Sequence, residues 1–394
     1  MSFESILGQV ARKEAFYFRQ HVCDDFLALI KKGNHILMSA PRRVGKTSQM
    51  CYLEDNPPEG YIVKYDIFQS VNSSNKFFKS IYKLIEEQLM KRERLWNQAT
   101  DFFKSKGVTD ITSKGVKLEK YDIDYYDGLK GLVEKLELDE RIVIMVDEIA
   151  DTLKNIIEEH GEKAGKAFLE KNRELRLNPK LHKKVQFVYA GSIGLENIVS
   201  GINCSDLIND LEPFELPQLN PRERDEFLNL LVCEKKYLLG NDERNYLKER
   251  MGYHSIYYYQ LIFDRIGKYD FRDVKSLVIT SDVIDHAFKM ALTQRSYFKH
   301  WKERLNKAFK GKELNFLKEV LDIAAEDGFI AIGGKRGIMN TAAKKKYKLE
   351  AKAKDLMGVL EYDGYLNNEA KPSEYVFTSP LLKEWWKLNK DWKA

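Results

Sequence analysis

The chain has 394 residues, of which 43% are hydrophobic and 32% are charged, with both signs mixed along the sequence. This length predicts two or three modules, and this composition excludes a disordered chain. The net charge of +5 is too modest to indicate nucleic-acid binding by itself, because partners respond to the local field.

Cysteine spacing and hydropathy exclude two further classes of protein. The four cysteines are far apart and form no CxxC pair, which argues against a disulfide scaffold or a zinc site: Cys23, Cys51, Cys204 and Cys233. We expect them to be reduced, buried thiols. No segment approaches the roughly 20 apolar residues that cross a bilayer, and the N-terminus carries no signal-like run. We expect a cytoplasmic protein without membrane contact.

The first elements in chain order are a helix, a strand and a second helix. Apolar residues recur at helical spacing over 24–31, and Lys32-Gly33-Asn34 supplies a stop signal. The short apolar run at 35–39 predicts a strand that leads into the loop APRRVGKTS. A helix is predicted to open at about 49–53.

Further strands alternate with helices through the first two hundred residues. We predict these strands at 61–68, 141–146, 185–190 and 214–216. The run at 141–146 does not alternate, which is typical of a strand covered on both faces of a parallel sheet. The polar segment 91–120 is interpreted as a mobile insertion. The pattern predicts an α/β, doubly wound parallel-sheet core over residues 1–218.

The remainder of the chain is predicted to be largely helical. Helical patterns at 222–232 and 255–266 indicate a lid domain over 219–296. The last part combines a helix at 312–326, a basic stretch, a helix at 351–362 and a hairpin within 365–377. This order predicts a winged-helix-like domain over 297–394.

The loop after the first predicted strand matches the phosphate-loop pattern GxxxxGK[ST], except that alanine replaces the first glycine. Backbone N–H groups between a strand and a helix N-terminus can surround one anion, and the helix dipole favours negative charge there. Lys46 is expected to bridge the outer phosphates, and Thr47 to enter the Mg²⁺ shell. The candidate nucleotide-binding residues are Ala40, Pro41, Arg42, Arg43, Val44, Gly45, Lys46, Thr47 and Ser48.

An acidic pair, Asp147 and Glu148, ends the predicted strand at 141–146. Carboxylates at the carboxyl edge of a parallel sheet can face the phosphate loop of a neighbouring strand. Asp147 is expected to hold magnesium through water, and Glu148 to act as general base on the attacking water. The alternative is that the pair merely caps a helix beginning at Ile149.

Ala190-Gly191-Ser192 ends the next predicted buried strand. A small polar side chain there can contact the γ-phosphate or orient the water, which makes Ser192 a candidate catalytic residue at a sensor position. The alternative is an ordinary Gly-Ser turn.

These motifs together resemble the AAA+ and STAND ATPases, and more narrowly the archaeal-type ATPases related to origin-recognition proteins. In that group PRRxGKTS and a strand ending in Asp-Glu recur. The resemblance covers most of the chain and extends to weaker motifs: Phe18-Arg19, Gly191–Leu195, Gly252–Tyr258, Tyr375–Pro380 and Trp385-Trp386.

The resemblance implies roles for several further residues. It places Phe18 and Arg19 near the base or ribose of ATP; a core aromatic and a solvated arginine are the alternative. Tyr257 stands where relatives often have proline. We therefore interpret His254 as a packed or surface histidine, and the alternative is that it contacts the nucleotide. An arginine from a neighbouring subunit commonly completes such sites. Arg173 and Arg176 are candidates for this arginine, and the role would require a homo-oligomer.

A segment of about twenty residues in the predicted winged-helix-like domain is strongly basic, and Glu350 is its one acidic residue. Its basic residues are Lys335, Arg336, Lys344, Lys345, Lys346, Lys348, Lys352 and Lys354. The run can track a DNA backbone, but it can also be a solvated face. The helix that follows carries few base-reading side chains, so sequence-specific recognition is unsupported.

Two functions follow from these observations. The first is an ATP- and Mg²⁺-dependent ATPase that acts as a switch, coupling nucleotide state to an unidentified protein partner in signalling or defence. The second is a DNA-associated ATPase that resembles origin-recognition or transposition regulators. A pseudo-ATPase is disfavoured because Lys46, Asp147 and Glu148 are all present.

Overall fold

A computed structural model describes residues 3–40, 43–112, 115–116, 124–191, 194–269, 278–293 and 297–389. The chain divides into two compact units. The sheet unit comprises Phe18–Ser39 and Lys46–Leu216, and the C-terminal unit comprises Met1–Tyr17, Ala40–Gly45 and Pro217–Ala394. The domain boundaries inferred from the sequence, at 218/219 and 296/297, stay predictions.

The sheet unit alternates strands and helices, as the sequence predicts. Its strands are β1 (Ile36–Ser39), β2 (Tyr61–Ile67), β3 (Ile111–Thr112), β4 (Gly115–Val116), β5 (Arg141–Asp147), β6 (Val185–Gly191) and β7 (Glu212–Glu215). Its helices are α1 (Gln20–Lys32), α2 (Lys46–Asp55), α3 (Ser74–Met90), α4 (Glu93–Ser105), α5 (Tyr125–Lys135), α6 (Ile149–His160), α7 (Glu162–Leu177), α8 (Pro179–His182) and α9 (Leu195–Gly201).

Five parallel strands form the sheet, in the order β2-β5-β6-β1-β7. The five strands predicted from the sequence are therefore confirmed. β5 and β6 lie inside the sheet, and nearly all of their residues are buried, which explains their unalternating apolar sequences. Because parallel strands end at one edge, the residues after β1 and β5 are brought to the same edge of the sheet.

The segment expected to be a mobile polar insertion contains an ordered helix. In α4 the apolar residues Leu95, Ala99 and Phe103 recur at four-residue spacing and are buried, so this helix packs against the core of the sheet unit. The polar composition of the segment reflects the exposed face of α4. The three buried apolar residues are too few to indicate a packed helix in a segment whose other residues are mostly polar.

The C-terminal unit is mostly helical. Its helices are α10 (Pro221–Lys235), α11 (Asn241–Met251), α12 (Ile256–Ile266), α13 (Ser281–Thr293), α14 (Lys299–Ala308), α15 (Gly311–Asp327), α16 (Ile338–Ala342), α17 (Ala353–Tyr362) and α18 (Pro380–Leu388). Its strands are β8 (Leu238–Leu239), β9 (Val278–Ile279), β10 (Ile330–Ala331), β11 (Leu366–Asn367) and β12 (Glu374–Phe377).

Local sequence signals account for the starts of two helices of this unit. Asn220 and Glu223 form a reciprocal capping box at the start of α10, and Ser255 caps α12. Strands β10, β12 and β11 form a three-stranded antiparallel sheet, and the winged-helix interpretation of this part of the chain stays a prediction. Gly252, at φ 60°, lies so close to Pro380 that a Cβ atom there would collide with its ring.

Three of the four cysteines are buried as expected, whereas Cys233 is exposed, and all four are free thiols. In the part of the chain that the structure describes, no helix is long and apolar enough to span a bilayer.

His35, just before β1, lies in a buried polar network that fixes its neutral form. Its Nδ1 accepts a hydrogen bond from the Phe187 N–H at 3.0 Å, so its Nε2–H donates to the Arg176 carbonyl at 3.0 Å. Burial, together with the positive charge of Arg176, lowers the pKa of His35 to about 4. A second proton would place an N–H group against the Phe187 N–H.

We expect the stability of the protein to fall as the pH is lowered from about 6.5 towards 4, because the unfolded chain binds a proton at His35 that the folded chain excludes. His35→Gln keeps a side-chain donor and acceptor but does not titrate. The substitution should reduce the change in the free energy of unfolding over this pH range by at most about 3 kcal/mol. Denaturant titrations of parent and variant across this pH range measure the difference. Parallel pH profiles would contradict this role for His35.

Candidate active site

Lys46 and Thr47 form the first turn of α2, which begins three residues before the predicted opening at 49–53. The Thr47 hydroxyl donates a hydrogen bond of 2.8 Å to Oδ2 of Asp147, one hundred residues further along the chain. The side chain of Lys46 is buried and acts electrostatically on the same carboxylate. Ser48 follows in the same turn. The structure therefore joins the predicted magnesium residues, Thr47 and Asp147, at one place.

The route by which these residues meet differs from the expectation. β5 does not adjoin β1, because β6 lies between them. The expectation of neighbouring strands was therefore wrong. The chain must pass from β1 to β2, at the far edge of the sheet, and α2 makes this connection across β6 and β5. The first turn of α2, rather than the end of β1, brings Thr47 to Asp147.

Asp147 is an acidic group in an unfavourable position for its charge. It is 5% exposed, and burial together with the charge of Glu148 raises its pKa. Hydrogen bonds partly offset this cost: besides Thr47, the Tyr65 hydroxyl donates to Oδ2 at 3.3 Å, and the Glu148 N–H donates to Oδ1 at 3.0 Å. The carboxylate is thus held in one orientation.

Tyr65 is a site residue that sequence reasoning missed. It lies on β2, whose residue Ile67 pairs with Asp147 of β5, and side chains two residues apart share a face. Burial and the Asp147 charge raise the pKa of Tyr65, which stays a neutral hydroxyl donor. The only signal in the sequence was an aromatic residue near the end of a strand, which is common in any sheet.

Glu148 has a left-handed backbone, with φ 59° and ψ 40°, and occupies the N-cap position of α6. Its side chain makes no capping hydrogen bond, so the alternative in which the acidic pair merely caps this helix is not supported. The side chain is half-buried. Non-glycine residues in this conformation carry strain and are concentrated at functional sites.

The described residues of the loop before Lys46 are Ala40 and 43–45, and they belong to the C-terminal unit. Ala40 and Val44 are buried and Arg43 is exposed. Arg43 has a positive φ of 69° and Gly45 one of 104°, so the backbone turns sharply before Lys46. Pro41 and Arg42 lie outside the described residues.

The candidate sensor residue Ser192 also lies outside the described residues. β6 ends directly before it at Gly191, which pairs with Ser39 at the end of β1. Its catalytic role stays a prediction.

Phe18 is exposed and Arg19 is buried, so the alternative of a core aromatic and a solvated arginine is wrong for both residues. Phe18 is 43% exposed, and its ring packs against Tyr52 with centroids 5.3 Å apart. With Gln49 and Tyr52 of α2 it lines a cavity of about 220 Å³. Arg19 is 7% exposed and occupies the N-cap position of α1.

The remaining candidates from the family resemblance are structural in character. His254 is buried, its Nδ1 lies 2.8 Å from the Tyr259 hydroxyl, and burial lowers its pKa to about 4, which agrees with a packed histidine. Arg176 is buried in a bidentate ion pair with Asp210, so its assignment as an arginine donated to a neighbouring subunit was wrong. Arg173 is partly exposed beside Asn209.

Replacing Asp147 with Asn should raise the thermal stability of the free protein. Because burial and Glu148 raise the pKa of Asp147, its stabilising contribution is full only below the ordinary carboxyl pKa and is lost as the pH rises through the folded value. At neutral pH its charge is therefore a cost. The amide oxygen of Asn can still accept from the Glu148 N–H, while its NH₂ group can donate to the Thr47 hydroxyl.

We expect the unfolding midpoint at pH 7 to rise by about 2–4 °C, the shift that about 1 kcal/mol produces in a domain of this size. Calorimetry without nucleotide measures it, with Asp101→Asn on the exposed face of α4 as control. A lower midpoint for Asp147→Asn would show that its hydrogen bonds outweigh its burial.

Two solved structures share this architecture. A Walker-type ATPase of Pyrococcus abyssi matches with a TM-score of 0.64 over 95% of this chain and 97% of its own, at 13% sequence identity. The ORC2 protein of Aeropyrum pernix, described in ADPNP and ADP complexes, matches with a TM-score of 0.50 over 93% of this chain and 91% of its own, at 12% identity.

No protein-family model matches the sequence, and no curated protein matches it. Sequence identity this low shows the fold alone. At that level the chain shares the α/β fold of these two proteins, as the resemblance of its motifs to P-loop ATPases predicts.

Proposed function

We propose that the protein is an ATP-binding, Mg²⁺-dependent ATPase that acts as a molecular switch, coupling its nucleotide state to the binding of a protein partner. The observation that carries this proposal is the 2.8 Å hydrogen bond between Thr47 and Asp147 beside the buried Lys46. A hydroxyl, a carboxylate and an ammonium group converge at the start of a helix that follows a phosphate-loop sequence.

The start of α2 is suited to phosphate. The first N–H groups of a helix have no partners within the helix, and the helix dipole adds partial positive charge there. Lys46 contributes a full charge from a buried position, where screening by water is weak. These groups would hold the outer phosphates of ATP.

The residues beside Lys46 also fit magnesium. Mg²⁺ in nucleotide sites takes one or two protein oxygen ligands and completes its octahedron with phosphate oxygens and water. Thr47 and Asp147 supply such oxygens, and the charge crowding at Asp147 and Glu148 is what a divalent cation relieves. Among the described residues no group of three or more His, Cys, Asp or Glu can hold a metal alone. Bound magnesium would polarise the phosphates for attack.

Glu148 is the proposed general base. It directly follows Asp147, its carboxylate does not cap α6, and its left-handed backbone sets the direction in which its side chain leaves the strand end. A base must lie within hydrogen-bond reach of the water that it activates. Ser192 would orient the same water.

The exposed ring of Phe18 is the proposed base contact. Its ring, Tyr52 and Gln49 line the cavity beside α2, and Tyr52 lies six residues after Lys46, about 9 Å along the helix axis. An aromatic wall and an amide are typical of a site for a purine. The buried Arg19 fits a supporting position better than a direct contact.

Ion pairs within the C-terminal unit favour a protein partner over DNA. Arg336 pairs with Glu326 and Asp327, Lys344 and Lys346 pair with Glu319, and Lys352 pairs with Glu313. All these carboxylates lie on α15. Half of the basic run is therefore neutralised locally, which weakens its field for a phosphate backbone. DNA binding through this domain remains the alternative function.

Replacing Lys46 with Ala should abolish ATP binding. The change removes a buried charge from the phosphate site, and loss of such a partner costs at least about 2 kcal/mol, or about thirtyfold in affinity. Isothermal titration with Mg²⁺ and ATP measures it. Lys180→Ala, at an exposed lysine of the sheet unit, is the control and should bind like the parent. Binding by Lys46→Ala at the affinity of the parent would refute the site.

Replacing Glu148 with Gln should preserve ATP binding and reduce turnover by about 10²–10⁴-fold, the usual contribution of a general base. The amide keeps the shape of the side chain but cannot accept the proton. Phosphate release at saturating ATP measures it, with Glu158→Gln on the exposed part of α6 as control. Hydrolysis by Glu148→Gln at the rate of the parent would remove Glu148 from the mechanism.

The two functions differ in what stimulates turnover. We expect ATP turnover to rise with a protein fraction of cell extract and to be indifferent to duplex DNA. Stimulation by DNA that weakens as salt is added would instead support the DNA-associated ATPase, because binding that releases counterions is salt-dependent.

A further inference from the structure

The loop that precedes Lys46 contains a strained residue. Arg43 has φ 69°, in the left-handed region that residues with a Cβ atom rarely adopt. Gly45, at φ 104°, adopts its own positive φ without such a penalty. Because Arg43 is exposed, burial in a core does not hold it in this conformation.

The side chain of Arg43 contacts an aromatic ring within the C-terminal unit. The guanidinium carbon of Arg43 lies 4.6 Å from the ring centroid of Tyr257, in the first turn of α12. This distance is typical of a cation–π interaction, which arginine makes especially well because its planar group stacks on the ring. Tyr257 is only 8% exposed, so the ring is a buried partner for an exposed cation.

The ring of Tyr257 is itself fixed by a series of aromatic side chains. It packs edge-on against Tyr258 with centroids 5.5 Å apart, and Tyr258 stacks on Phe298 at 6.2 Å. Phe298 in turn stacks on Trp385 of α18 at 5.8 Å. All three further rings are buried. Tyr257 therefore offers Arg43 a rigid surface.

We propose that Tyr257 is a positioning residue for the phosphate loop: its ring holds Arg43 in the left-handed conformation from which the loop enters α2 at Lys46. This inference rests on the proposed function, since the loop is taken to bind phosphate. Tyr257 acts through Arg43 and has no part in the chemistry. Loss of the ring leaves the strain of Arg43 uncompensated and lets the loop leave the conformation that receives phosphate.

Titration calorimetry with Mg²⁺ and ATP tests the role of the ring. Tyr257→Leu should weaken ATP binding by about twofold to about thirtyfold, the range that corresponds to exposed and desolvated cation–π contacts. Tyr257→Phe keeps the ring and should restore the affinity of the parent. Tyr253→Leu is the matched control, because Tyr253 packs on Tyr258 with centroids 6.0 Å apart. An equal loss in Tyr253→Leu, or none in Tyr257→Leu, would overturn the proposal.

Substitutions at Arg43 test the strain from the side of the loop. Gly adopts the positive φ freely, so adding Tyr257→Leu to Arg43→Gly should change the affinity by less than about twofold. Arg43→Gln keeps the strain and loses the cation, so it should bind ATP more weakly than Arg43→Gly. This second comparison does not depend on the folding of Tyr257→Leu. Equal effects of Tyr257→Leu in both backgrounds, or equal affinity of the Gln and Gly variants, would contradict the proposal.

A measurement without nucleotide separates this inference from the proposed function. Trypsin cleavage after Arg43, followed by mass spectrometry, should be faster in Tyr257→Leu than in the parent and in Tyr257→Phe, because the loop is released. If the parent binds no ATP, the proposed function and the role in phosphate binding fail together, whatever the cleavage rates. If the parent binds ATP and Tyr257→Leu matches it in affinity and cleavage, the positioning role alone fails.

Discussion

The hydrogen bond from Thr47 to Asp147 joins the first turn of α2 to the end of β5, and the arrangement of the candidate site depends on it. The bond exists because α2 crosses two strands on its way from β1 to the far edge of the sheet. A strand order that placed the end of β5 away from the path of α2 would leave the phosphate-loop sequence and the acidic pair intact but apart. The order of the sheet thus turns two separate motifs into one site.

The same place carries costs that the fold itself does not require. Asp147 is a buried carboxylate beside a second acidic residue, and Glu148 has a strained backbone. Neighbouring groups offset part of this cost through hydrogen bonds from Thr47, Tyr65 and a main-chain N–H. A preformed charged site of this kind is expected where a ligand supplies the missing positive charge, which is the physical basis of the proposed cation.

The C-terminal unit shows a different use of charge. Carboxylates on α15 pair with half of the basic run. Burial raises the pKa of Glu319, but hydrogen bonds from Lys344 and Lys346 outweigh it and lower this pKa to about 2. Its aromatic residues form a continuous buried series from Tyr257 to Trp385. This unit therefore pairs half of the basic run with its own carboxylates and packs a series of aromatic rings in its interior.

The sequence by itself determined the local elements and the chemistry they carry. The five sheet strands, the presence of a helix after the phosphate loop and the acidic pair could be predicted, because apolar runs and short motifs are set by neighbouring residues. Only the tertiary structure decided that β6 separates β1 from β5, that Tyr65 joins Asp147, that Arg176 is buried against Asp210, and that Tyr257 supports Arg43. Each of these facts depends on residues far apart in the chain, and their pairing follows from strand order and packing, which no local pattern encodes.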